Sequence, residues 1–163
     1  MGTVWERISP PVNGDGVRAE WTPSTAGTHY TLVDEGMASP NDDDYVYAIV
    51  GAKRDGYYIP TGLTGTGAIH RLRLGFRYKG SAVPVKPGIE IRLYVGGVKW
   101  GSTAQVSVDT KDVWTDGQVV FNFGPGKTVD DWNDAGTRVI LIDSAPAVSG
   151  FTLPDEYAFQ VDL

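Results

Sequence analysis

The chain contains no cysteine and only two histidines, His29 and His70, among its 163 residues. Without thiols there are no disulfides, no thiolate zinc sites and no cysteine nucleophile. The redox compartment stays open, because a cysteine-free chain is stable in either setting. A nucleophilic triad needs a histidine beside a serine and an orienting acid. No Gly-x-Ser-x-Gly surrounds any serine, and each histidine reads as the end of a strand at a sheet margin. Positive charge is also scarce: 14 Lys and Arg stand against 20 Asp and Glu, for a net charge of -6. An acidic chain lacks the electrostatic footprint of a general nucleic-acid binder, so no nucleic-acid partner is expected. No run of 18 apolar residues occurs, so no membrane span or membrane partner is expected either. Glu6 and Arg7 stand where a secretion signal needs an apolar segment, which predicts a protein made and used without Sec-type export.

Hydrophobic residues make up 41% of the chain, and 21 glycines and 10 prolines occur without a triplet period. That composition is globular and rich in turns, and the length suits one core. Period two dominates the pattern. In "GIEIRLYVGG", Ile89, Ile91, Leu93 and Val95 share one face while Glu90, Arg92 and Tyr94 share the other. In "IHRLRLGFRYKG", Leu72, Leu74, Phe76 and Tyr78 face inward, against Arg71, Arg73, Arg77 and Lys79 outward. Further strands are predicted around Tyr30 and Leu32, from Tyr45 to Val50, and in "TAQVSVD" with Ala104, Val106 and Val108 inward. "VVFNFG" adds one with Phe121 and Phe123 inward, and the last two are Val139 to Ile142 and "EYAFQVDL". Turn signals punctuate these runs, among them Asp55-Gly56, Gly96-Gly97, Asp116-Gly117 and Ser149-Gly150. One helical turn is expected in "TVDDWNDAGT", capped by Thr128 and ended by Ala135-Gly136. The sum is an all-β chain, a single antiparallel β-sandwich over residues 21–163 preceded by an arm and first turn over 1–20.

Candidate sites are few. The run Asn41-Asp42-Asp43-Asp44 supplies oxygen ligands of the kind calcium needs, but lacks the glycine and closing glutamate of an EF-hand. Adjacent aspartates on an extended backbone point in opposite directions, so Asp42 and Asp44 are the metal candidates. The plainer reading is a solvated acidic turn leading into a strand. Otherwise no cofactor is expected. Glycoside hydrolysis requires two acids roughly 5–9.5 Å apart across a cleft. Glu90 is the acid that alternation places on a sheet face, and its neighbours Arg92 and Tyr94 suggest a surface ion pair instead. "GLTGTGAIH" has neither dinucleotide-binding nor P-loop spacing and reads as a glycine-rich loop. The outward row Arg71, Arg73, Arg77 and Lys79 is either a docking face for an acidic partner or a row balanced across the sheet. Of the five tryptophans, Trp100 and Trp114 are candidates for a glycan platform, since an exposed indole offers a sugar ring a flat face; the common alternative is core packing. Trp5, in "WERISPP" before Pro10-Pro11, is the candidate anchor of an attachment arm.

The stretch "WTPSTAGTHYTLVDEGMASPNDDDYVYA", extended by "DVWTDGQVVFNFGPGKTVDDWNDAGTRVILI", resembles small jelly-roll proteins of tailed-bacteriophage structural gene clusters. The shared order is an opening Trp21, the strand end Tyr30, Val33, Asp34 and Glu35, and an acidic run before Tyr45 and Val46. Trp132 departs from the pattern, being followed by Asn133 where the family has Thr. The resemblance implies a jelly-roll virion component, a capsid decoration or tail-associated protein that forms homo-oligomers and contacts other virion proteins, assembled in the host cytoplasm. It carries over no catalytic residue, so a non-enzyme is expected. The second function class is a carbohydrate-binding sandwich module serving host adsorption. If the acidic run is only a solvated turn, the melting midpoint will be the same in millimolar calcium and in chelator; a rise of several degrees with calcium would establish the metal site.

Overall fold

The computed structural model describes residues 20, 22–23, 46–48, 53–59, 62–80, 85–108, 113–144 and 157–162. Nine strands and one short helix lie among them. The strands are β1 (Thr22–Pro23), β2 (Val46–Ala48), β3 (Arg54–Tyr58), β4 (Arg71–Gly80), β5 (Val85–Val95), β6 (Val98–Val108), β7 (Thr115–Asn122), β8 (Arg138–Ser144) and β9 (Tyr157–Asp162); helix α1 spans Val129–Asp134. The predicted arm residue Trp5, the strand around Tyr30 and the acidic run with Asp42 and Asp44 lie outside the described residues.

Every pairing among these strands is antiparallel, and the strands form two sheets, β1-β2-β9-β4-β7 and β3-β8-β5-β6. The winding follows from nested pairs. The β5–β6 hairpin is innermost, and β4–β7, β3–β8 and β2–β9 enclose it in turn. The lateral pairs β5–β8 and β4–β9 roll that ribbon into two sheets, which is the winding of a jelly roll. The turn at the centre of the ribbon is Gly96-Gly97, with φ of 57° and 79°. Both central residues of a tight hairpin turn of this hand need positive φ, which glycine adopts without strain.

Alternation puts the core between the sheets. Ile89, Ile91 and Leu93 of β5 and Leu74 and Phe76 of β4 are fully buried, as are Ile140 and Ile142 of β8 within 1%. Burying side chains of this size stabilises the fold by about 1.5–3 kcal/mol each. The central strand predicted from Val139 to Ile142 is central, with β3 on one side and β5 on the other. The predicted helical turn is also present: the Thr128 hydroxyl accepts from the Asp131 N–H (3.1 Å), and the Asp131 carboxylate accepts from the Thr128 N–H (2.9 Å). The Thr128 hydroxyl, 2.7 Å from the Asp131 carboxylate, and then the Thr128 N–H hold that carboxyl below its ordinary range.

Two predicted turns are corrected. Asp55-Gly56 lies inside β3, paired with Ile142 and Leu141, and Asp116-Gly117 lies inside β7, paired with Arg77 and Phe76. Neither glycine has positive φ. At Gly117 the missing side chain makes room for the Phe76 ring, because a Cβ there would stand 2.4 Å from Cε2 of that ring. Alanine normally improves a strand interior by about 0.5–1 kcal/mol over glycine. Here the ring decides the sign, and Gly117→Ala is expected to lower the urea-unfolding free energy by about 1–3 kcal/mol through overpacking. An unchanged or raised free energy would show that Phe76 is free to move aside.

Candidate interaction surfaces

Period two leaves one outer face on each sheet. On the five-stranded sheet, β4 presents Arg71, Arg73, Gly75, Arg77 and Lys79, and β7 places Asn122, Val120, Gln118 and Asp116 opposite the first four of them. Arg71 and Arg73 are exposed, whereas Arg77 and Lys79 are half-buried. Trp114, just before β7, explains the difference: the Lys79 Nζ stands 4.8 Å and the Arg77 guanidinium carbon 5.8 Å from its ring centroid. Cations over an indole face are attracted by its quadrupole. Arg77 Nε also stands 2.9 Å from Asp116 Oδ1. On the other side of β4, Asp162 of β9 takes the register position opposite Gly75. The four cations expected to face outward therefore do share one face, and Trp114, proposed separately as a glycan platform, lies among them.

Trp100 is a correction. It is 4% exposed and packs edge-on against Phe123 and Trp132, at centroid distances of 5.4 and 6.0 Å. The Lys127 ammonium lies 4.7 Å from its centroid. No face is left for a sugar ring. These rings close one end of the sandwich, where Arg138 donates to the carbonyls of Trp132 (2.7 Å), Asn133 (2.9 Å) and Ala135 (3.1 Å). A cation on the last carbonyls of a helix completes groups that have no partner within it. Burial holds the Arg138 guanidinium below its ordinary value.

The outer face of the four-stranded sheet carries a network that alternation revealed only in part. The predicted ion pair of Glu90 and Arg92 is present at 2.6 Å. It continues to Asp143 of β8, whose two oxygens accept from Arg92 and from Arg54 of β3 (2.8 Å), while Gln105 of β6 donates to Glu90 (3.0 Å). Asp143 was missed because β8 is apolar on both faces, which hides its phase. Each of the four carboxylate oxygens already accepts a hydrogen bond, so the pair Glu90 and Asp143 ties four strands together. His70, exposed just before β4, accepts from the Phe123 N–H through its carbonyl (2.8 Å), as a residue at a strand end does. No group of three or more potential metal-ligating side chains occurs among the described residues.

No protein-family model and no curated protein matches the chain. Among solved structures it is similar to the Podospora anserina GH26-CBM35 β-(1,4)-mannanase, at 17% identity and a TM-score of 0.41, over 90% of this chain and 26% of that one. It is also similar to a Paenibacillus sp. cycloisomaltooligosaccharide glucanotransferase complexed with cycloisomaltoheptaose, at 12% identity and a TM-score of 0.42, over 91% of this chain and 17% of that one. A third is the Agl-KA catalytic domain, at 14% identity and a TM-score of 0.38, over 73% of this chain and 21% of that one. The chain thus spans about a quarter or less of each of these proteins.

Removing the bridging guanidinium leaves two carboxylates facing one another on adjacent strands, with Asp143 only 5% exposed. Arg92→Met is expected to cost roughly 2–3 kcal/mol in chemical denaturation. The exposed Lys99→Met should cost under about 0.5 kcal/mol. Equal effects at the two positions would mean that the network contributes nothing to stability.

Proposed function

We propose that this chain is a non-enzymatic structural protein of a tailed-bacteriophage virion, a capsid decoration or tail-associated component that acts through protein–protein contacts. The observation that carries the reading is the outer face of the five-stranded sheet, where Arg71, Arg73, Arg77 and Lys79 line one strand with Trp114 among them. An aromatic anchor bordered by cations is the composition of an assembly face, since the ring supplies contact area and the charges set register and steer an acidic partner. The jelly-roll winding agrees with the fold implied by the sequence resemblance, and the row lies on the outer face of its sheet. The glycan-binding alternative keeps Trp114 but loses Trp100, which is in the core.

Mass spectrometry of purified particles of the phage encoding the chain is expected to find it at fixed stoichiometry. Arg71→Glu with Arg73→Glu should lower its occupancy on the particle at least about ten-fold while circular dichroism shows the fold retained, because both side chains are exposed. Particles without the protein would refute the virion role. Glycan-array binding lost in Trp114→Ala would turn the assignment to the carbohydrate-binding class.

A further inference from the structure

A sheet edge is a template for another strand unless something blunts it. The four edges formed by the described residues differ in that respect. Strand β1 is two residues long and ends in Pro23, which has no N–H to donate. Along β3, Glu20 donates its N–H to the Arg54 carbonyl (2.9 Å) and accepts the Arg54 N–H on its carboxylate (3.1 Å). Strand β6 is bulged: between the pairs Leu93–Trp100 and Ile91–Ala104 it carries extra residues, with Gly101 at φ 72°. Among the described residues, strand β7 has none of these devices from Asp116 to Val120. Its eight residues, TDGQVVFN, contain no proline, no lysine and no arginine, and its register with β4 is unbroken.

The phase of its backbone is fixed by the bond from the Phe123 N–H to the His70 carbonyl. Antiparallel pairs alternate between residues that exchange hydrogen bonds and residues that do not. Thr115, Gly117, Val119 and Phe121 therefore bond to β4, while Asp116, Gln118, Val120 and Asn122 turn their N–H and C=O groups to the edge. The Asn122 carbonyl is covered by Gly101, where a Cβ would stand 3.2 Å away. Asp116, Gln118 and Val120 remain, all exposed, and among the described residues no backbone hydrogen bond reaches them.

We propose that this edge pairs with the same edge of a second copy of the chain, antiparallel about a two-fold axis through Gln118. Self-complementarity selects that occupant. In this register Gln118 lies opposite Gln118 of the second copy, and Asp116 lies opposite Val120, so no like charges meet. Val120 stands beside Arg73 of β4, and Arg77 stands beside Asp116. Each Asp116 thus enters a row between its own Arg77 and Arg73 of the other copy. The pairing adds about six backbone hydrogen bonds and joins two five-stranded sheets into one. The contact is small, so association is expected at micromolar concentration or weaker. It does not depend on the virion assignment and leaves the outer-face row accessible.

The absence of cysteine makes the test clean. Hydrogen-bonded partners in an antiparallel pair have Cα atoms about 5.5 Å apart, within the range a disulfide spans. Under mild oxidation at about 100 μM protein, Gln118→Cys is expected to form a covalent dimer of twice 17.6 kDa at least ten-fold faster than Val98→Cys, which is 60% exposed on the far hairpin. Gln118→Pro, which removes an outward N–H and spares the bonds to β4, should abolish the dimer that sedimentation velocity finds in the parent; circular dichroism checks its fold. Equal cross-linking rates at the two cysteines overturn the proposal, as does a parent chain that sediments as a monomer at that concentration.

Discussion

Ile89, Ile91, Leu93 and Val95 lie on β5, a strand bonded on both sides, and each is at most 3% exposed. Their spacing of two is the constraint on which the rest of the molecule depends. With one face of each sheet committed to a shared apolar layer, the register of every strand is fixed, because a slip of one residue would turn the whole inward set to water. The outward residues follow without further choice. The basic row of β4 is where it is because Leu74 and Phe76 are fully buried. Glu90 and Arg92 face outward because Ile89, Ile91 and Leu93 do not.

The layer needs closing at its ends, and the described end shows how a weak element is held. A six-residue helix is too short to persist alone. Trp132, 1% exposed, anchors it in the core, the Thr128–Asp131 box completes its first turn, and Arg138 takes up its last carbonyls. Asn133 then pins the neighbouring glycine-rich loop, accepting from the Leu63 N–H (2.8 Å) and donating to the Leu63 carbonyl (3.0 Å). Gly62 is forced by this contact, since a Cβ there would stand 2.5 Å from the Asn133 amide oxygen.

Where alternation is clean, sequence and structure coincide: β4 and β5 bury the expected residues, and β7, β8, β9 and the capped helix occupy the expected segments. Glycine dipeptides misled because the sequence does not show the sign of φ. Gly96-Gly97 is a turn, while Gly117 makes room for an aromatic ring in mid-strand. The burial of Trp100 was legible in principle. It shares the even phase of Ala104 and Val106, and the bulge at Gly101 preserves that phase, so extending the strand towards its start would have placed the indole inside. Asp143 was not legible, because an acid ending an apolar run announces no face until its strand neighbours are known.

The two outer faces differ in kind, and the difference bears on which can meet another molecule. On the four-stranded sheet two guanidinium groups meet two carboxylates, every carboxylate oxygen is already bonded, and Asp143 is almost wholly buried. A ligand there would have to replace bonds made in a partly dehydrated setting, which costs more than it returns. On the five-stranded sheet Arg71 and Arg73 are exposed, in a chain of net charge -6 that concentrates few cations elsewhere. Exposed charge retains its long-range attraction at little desolvation cost, so it favours encounter with an acidic surface. The first face therefore serves stability, and the second is the one on which the proposed assembly contact rests.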